Sequence, residues 1–161
     1  METTSTKPVI IVVASLAIKM TKPLITVLLP TRKRTAMVKK SISTILELAT
    51  DPSRIHIAVA YDSDDAESET YFTSNEWKSL VENTSATQEV HEINRLGWTA
   101  LHEYYNFLAT NIDSEWYFIW NDDAFMQTQG WDQEIWENKN YNSLISMESN
   151  GKRPDSTLFP C

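Results

Sequence analysis

Residues Trp116-Tyr117-Phe118-Ile119-Trp120 form an unbroken apolar run that stops abruptly at Asn121-Asp122-Asp123. An uninterrupted run of this length reads as a strand buried on both faces, the kind found in a parallel sheet covered by helices. Open sheets of that kind bind ligands in the crevice beyond the carboxyl ends of their strands. The run therefore predicts a central strand with Asn121, Asp122 and Asp123 at its ligand-facing end. Adjacent carboxylates in that position suit a hard divalent cation, Mg²⁺ or Mn²⁺, shared with substrate phosphates. The competing reading is a surface turn after the strand, because Asn and Asp are common turn formers.

The rest of the chain has the means to build such a sheet. Its 161 residues fit one domain, and a hydrophobic content of 42% supplies a core. Twenty-two acidic against fourteen basic residues give a formal charge of −8, which argues against a general nucleic-acid or anionic-membrane partner. An anionic ligand then needs local help, from a cation at the acidic cluster or from the dense basic stretch Arg32-Lys33-Arg34 with Lys39 and Lys40. Lys39 and Lys40 read as a solvated helix face.

Cys161 is the sole cysteine, so neither an intrachain disulfide nor a thiolate metal site is expected. His56, His91 and His102 are scattered without zinc-ligand spacing. No stretch reaches the roughly 18 apolar residues of a membrane span. Val9 to Ile18 is a shorter apolar run after Lys7, open to three readings: a weak export signal, an extra strand, or an extension ahead of Met20. Residues 1–21 are read as an appended extension and 22–161 as the functional domain, with a cytoplasmic location expected.

Strand and helix signals alternate along the chain. Leu24 to Leu29 predicts a first strand ended by Pro30, and a helix follows with Thr35 as its cap and Val38, Ile42, Ile45, Leu46 and Ala49 on one face. Ile55 to Tyr61 predicts a second strand, and this one also ends in acids: Asp62, Asp64 and Asp65. A helix over Ser74 to Glu82 and a weaker strand over Gln88 to Ile93 come next. Beyond the turn at Arg95-Leu96-Gly97-Trp98, Thr99 is expected to cap a helix marked by Leu101, Tyr105, Leu108 and Ile112. A turn or short helix follows Gly130, and Ser143 to Met147 predicts a fifth strand. Right-handed β-α-β units in a mostly parallel sheet satisfy this order, and they place the acids of two different strands on one edge.

Several chemistries lack their motif. There is no GxGxxG dinucleotide fingerprint, no GxxxxGK[ST] phosphate loop and no GxSxG nucleophile elbow, and the chain has only three glycines. What remains is a metal-assisted phosphate ligand held without a glycine cradle.

Four segments in order resemble the inverting glycosyltransferases of family 2, whose fold is the GT-A arrangement of the nucleotide-diphospho-sugar transferases, a Rossmann-like α/β sheet flanked by helices. Leu24 to Arg34 is similar to the family's opening strand and Pro-Thr-x-Asn-Arg turn, with Lys33 where Asn is usual. Ile57 to Asp65 resembles its second strand and acidic end. Arg95 to Gly97, with Asn106 in the helix behind, resembles the stretch that packs beside the donor. Trp116 to Asp123 resembles the strand that precedes the Asp-x-Asp signature, with Asn121 in place of the first Asp.

The resemblance implies a donor site for a UDP- or GDP-sugar built from Pro30, Thr31, Arg32, Arg34, Asp62, Asp64, Arg95, Asn121 and Asp122, with Asp123 as ligand to Mn²⁺ or Mg²⁺. Asp62 is the first choice for the base and ribose contact and Asp64 the second. Transfer with inversion to an acceptor also needs a general base. Glu134, Glu137, Glu148 and Asp155 are available carboxylates, but none lies in an aligned motif, and no base is assigned. Family catalytic domains run longer beyond the acidic strand, so the resemblance implies a chain incomplete in its acceptor half. The alternative is a nucleotide-sugar or nucleotide-binding module without catalysis. Trp98 and Trp131 are the aromatic candidates for stacking on a sugar, whereas Trp116 and Trp120 read as packing.

Overall fold

The structure is a computed structural model that describes residues 25–137. The extension over 1–21, the Val9 to Ile18 run, the strand expected at Ser143 to Met147, and Glu148 and Asp155 all lie outside the described residues.

Among the described residues nine regular elements follow one another. They are β1 (Ile25–Thr31), α1 (Thr35–Glu47), β2 (Ile55–Asp62), α2 (Ala66–Phe72), α3 (Asn75–Glu82), β3 (Thr87–Ile93), α4 (Leu101–Asn111), β4 (Trp116–Ile119) and α5 (Trp131–Glu137), with single 3-10 turns at Pro52–Arg54 and Trp98–Ala100. The strands form one sheet in the order β3-β2-β1-β4, and every pairing is parallel. This is a Rossmann-like α/β arrangement.

Helices cover both faces. Odd-numbered β1 residues Ile25, Val27 and Leu29, with Ile55, Ile57, Val59 and Tyr61 of β2, face a large core closed by Val38, Ile42 and Ile45 of α1, Phe72, Trp77 and Val81 from α2 and α3, and Trp131 and Ile135 of α5. The opposite face presents Leu28, Ala58 and Ala60 to Tyr104, Tyr105, Leu108 and Ile112 at α4. Two alanines on β2 leave room for α4 to carry its tyrosines close to the sheet. Leu108 stands four residues after Tyr104 and three after Tyr105, which accounts for the single buried stripe of that helix.

Four local expectations are corrected. Pro30 does not end β1; it lies inside the strand, paired in register with Ala60. The Trp120 N–H donates to the Leu28 carbonyl at 3.1 Å, so even-numbered β1 residues turn their backbone groups toward β4. The pairing with β4 stops at Ile119, so the missing N–H of Pro30 falls where no ladder bond is left to lose.

Thr35 is not the cap of α1. Arg34 occupies that position without a side-chain bond, and the Thr35 hydroxyl donates to Glu67 at 2.8 Å instead. Thr99 likewise lies in the 3-10 turn, and Ala100 stands at the start of α4. Finally, β4 is not a doubly buried central strand. It lies at the end of the sheet order among the described residues, with Trp116 and Phe118 turned toward the α1 core and Tyr117 and Ile119 exposed. Helix α2 was not foreseen. Among the described residues no helix is long and apolar enough to cross a membrane.

Candidate functional site

The chain builds β1, β2 and β3 outward in one direction, then returns to place β4 on the other side of β1. The crevice between the carboxyl ends of β1 and β4 is therefore the topological switch point, where α1 leaves over one face and α4 arrives over the other. With Pro30 unable to pair and β4 ending at Ile119, the two strands part at this point.

Residues from four elements meet there. Thr31 ends β1, Arg32, Lys33 and Arg34 form the turn into α1, Asp62 ends β2 and is followed by Asp64 and Asp65, Arg95 follows β3, and Asn121, Asp122 and Asp123 follow β4. Two arginines from the turn after β1 stitch the acids together. Arg32 Nη1 binds Asp62 Oδ2 at 2.8 Å and also contacts Asp64 Oδ1, while Arg32 Nη2 binds Asp64 Oδ2 at 3.0 Å. Arg34 Nη1 reaches Asp122 Oδ1 at 2.9 Å and Asp123 Oδ2 at 3.3 Å. Arg95 Nη1 approaches Asp64 Oδ2 from the β3 side at 3.5 Å.

The acids differ sharply in their surroundings. Asp62 and Asp122 are buried, and each has both oxygens engaged. Asp122 Oδ2 accepts from the Thr31 hydroxyl at 2.8 Å, leaving Oδ1 to Arg34. Asp62 Oδ1 accepts from the Tyr104 hydroxyl, which itself accepts the Leu96 N–H at 3.0 Å. Asp64 and Asp123 are about half-exposed. The hydrogen bond from Arg32 holds the Asp64 carboxyl below the usual carboxylate range, and the same bond raises the Arg32 guanidinium further. Burial pushes the Tyr104 hydroxyl up, and its bond to Asp62 adds to the shift. Burial, then Asp122 and Asp123, push Tyr105 up to about 12.

Asp65 is a structural acid within the same edge. Burial alone would raise its pKa, but bonds from the Ser68 hydroxyl at 2.6 Å, the Lys33 N–H at 2.6 Å and the Ser68 N–H at 3.2 Å outweigh that and hold it below the usual range. It thereby caps α2 and fixes the turn that carries both arginines.

Of the residues expected at a donor site, Arg32, Asp62, Asp64 and Arg95 form one bonded set and Thr31, Arg34, Asp122 and Asp123 a second, and the turn over 32–34 carries an arginine of each. Asn121 belongs through Tyr105, whose hydroxyl lies 3.2 Å from both Asn121 Oδ1 and the Trp120 carbonyl. Pro30 is buried in the strand and contributes the parting of β1 from β4 rather than a contact. Asn106 is exposed on α4. Trp131 is not available to a sugar: it is fully buried, stacked on Phe118, and its Nε1 donates to the Ile45 carbonyl at 2.9 Å.

Tyr104 was missed as a site residue. Its signal was the doublet Tyr104-Tyr105 at the start of a helix that begins at the carboxyl edge, where one hydroxyl can rise from an apolar stripe to the strand ends.

Among the described residues no three His, Cys, Asp or Glu side chains converge as a ready cation cage. Asp122 has no oxygen to spare, whereas Asp123 is half-exposed and makes a single 3.3 Å contact with Arg34. One carboxylate does not make a cation site held by protein alone, and a Mg²⁺ or Mn²⁺ there would have to take the rest of its shell from ligand phosphates and water. No protein-family model matches the chain, and no curated protein matches it.

Proposed function

We propose that the β1/β4 crevice is the donor site of a glycosyltransferase, binding the nucleoside diphosphate of a nucleotide-sugar. The supporting observation is the convergence, at the switch point of a parallel sheet, of two acid-ended strands on a turn bearing Arg32 and Arg34. The order of these segments resembles family 2 of the inverting enzymes. Arg32, Arg34 and Arg95 are the cations of the crevice, and because each is paired with Asp62, Asp64, Asp122 or Asp123, a diphosphate there would also need a divalent cation. Asp64 has both oxygens on Arg32, as Asp62 has its own on Arg32 and Tyr104, but it is half-exposed and kept ionised, so a ribose hydroxyl or a base N–H can still reach it from solvent. In this reading Asp62 positions Arg32, and Asp64 meets the ligand.

Asp123 would hold a divalent cation together with the phosphates. When bound, that cation supplies Lewis-acid stabilisation of the departing diphosphate. Thr31 and Arg34 fix Asp122 and so set the direction of the Asp122-Asp123 turn.

A binding module without transfer is the second reading. Asn121, standing where an acid is usual, is occupied by Tyr105.

Calorimetric titration of UDP and GDP, with Mn²⁺ and with EDTA, into wild type and Asp123→Ala tests the site. Metal-dependent binding that is lost in the variant is the expected result. Absence of nucleotide binding in every condition overturns the proposal. Release of free nucleoside diphosphate from a donor sugar without acceptor then separates an enzyme from a binding module.

A further inference from the structure

Trp98 is 87% exposed, although Trp77 and Trp131 are fully buried and Trp116, Trp120 and Trp136 pack against the core. An indole in water adds nothing to the fold, since the free energy of burying its large apolar area goes unused. Its backbone, however, is fixed. Two residues earlier, the Leu96 N–H is bonded to Tyr104, which is bonded to Asp62 at the end of β2. One residue before that, Arg95 approaches Asp64. Gly97, at φ +84°, makes a turn closed to L side chains and delivers Trp98 into a 3-10 turn held by the Ala100 N–H on the Gly97 carbonyl at 3.1 Å. Leu96 and Leu101, 47% and 38% exposed, extend the apolar surface on either side.

A solvent-facing aromatic ring on a fixed backbone, three residues along the chain from a cation that contacts a half-exposed carboxylate, matches one ligand chemistry in particular. That ligand has a flat π-face, hydrogen-bonding edges and a nearby anionic tail. From this juxtaposition we infer that Trp98 is the stacking platform for the nucleobase of the bound nucleotide, with Asp64 toward its polar edge or ribose and Arg95 toward its charge. The inference rests on the donor-site reading above and assigns to it the residue that holds the base. Stacking tolerates any base, so the platform supplies affinity, and Asp64 supplies what discrimination there is.

The test compares UDP, GDP and inorganic pyrophosphate, each with Mn²⁺, by calorimetry on the full chain as wild type, Trp98→Ala and Trp98→Phe. Thermal unfolding serves as the control, and Trp98→Ala is expected to leave it unchanged because the ring is exposed. The expected result is that Trp98→Ala weakens both nucleotides by roughly tenfold or more. Trp98→Phe should keep most of that affinity, and all three proteins should bind pyrophosphate alike. Nucleotide binding equal in wild type and Trp98→Ala overturns the platform while leaving the donor site standing. Absence of nucleotide binding in wild type overturns both. A change of oligomeric state in Trp98→Ala, read by size-exclusion chromatography, overturns it in favour of a second copy covering the patch.

Discussion

Lys33 carries a side chain at φ 52°, in the left-handed region that Gly and Asn enter easily and other L-residues enter at a cost of about 1–2 kcal/mol. The conformation persists because the turn is fixed on every side. The Lys33 N–H donates to Asp65, Arg32 is held by Asp62 and Asp64, and Arg34 is held by Asp122. The strain is what points both guanidiniums into the crevice while the lysine side chain turns to solvent. Asn suits the same backbone with less strain. Lys33→Asn is expected to raise the unfolding free energy by about 0.5–1 kcal/mol, and Lys33→Val to lower it by at least as much. Urea unfolding midpoints of the two variants check this. Equal midpoints would mean that the turn relaxes on substitution and stores no strain.

Helix α2 shows how an element can depend on one acid. Ala66–Phe72 is a short helix, well below the length at which helices stand alone, so its start must be nucleated by tertiary bonds. Asp65 supplies them through Ser68, and it joins α2 to the arginine turn through Lys33. Asp65→Ala is expected to cost about 2 kcal/mol, at the upper end of the range for a lost cap, because a buried N–H and a buried hydroxyl both lose their partner. Asp65→Asn, which keeps an acceptor, should cost less; chemical denaturation of both variants gives the comparison. The signal for α2 was present in the sequence, since Asp65 is followed by Glu67 and Glu69 in a first helical turn, but the expected helix began only at Ser74. The strands β1, β2 and β3 and the helices α1 and α3 were legible because apolar period and breakers agreed there. Strand β4 was legible as an element but not in its place. Its five apolar residues look alike whether both faces are buried or, as here, Trp116 and Phe118 face a core while Tyr117 and Ile119 do not. The convergence of Asp62, Asp64, Asp122 and Asp123 was legible because parallel strands share one carboxyl edge. Which of them is buried and which half-exposed was not, because that depends on Thr31 and Tyr104, and only the fold brings those over Asp122 and Asp62.

Across the whole molecule, titratable groups at opposite ends of the sheet give stability a two-step dependence on pH. At the amino end, His56 begins β2 with Nδ1 2.8 Å from the Thr87 hydroxyl. Burial lowers its pKa from 6.5, partly opposed by Glu89 and aided by His91. The unfolded chain therefore takes up this proton first, so stability present above about pH 6.5 declines as pH falls below that value. At the carboxyl end, Asp64 and Asp65 both titrate below their ordinary 3.8 in the folded protein. Their contribution is complete above the unfolded pKa and is lost as pH falls through the lower folded values, where Arg32 and Lys33 lose their charged partners. A plot of melting temperature against pH should show a shallow first decline beginning near pH 6.5 and a steeper one below about pH 4. His56→Gln is expected to remove the first decline and leave the second. Arg32→Met should make the steep limb shallower, because Asp64 then titrates nearer its ordinary value and contributes less to it. Raising the salt concentration should blunt the Asp64 part, which is half-exposed and screened, while leaving the Asp65 part, whose partners are hydrogen-bond donors packed around a buried carboxylate. A single acid limb that neither His56→Gln nor Arg32→Met alters would mean that the two ends of the sheet do not titrate separately and that another set of groups governs acid unfolding.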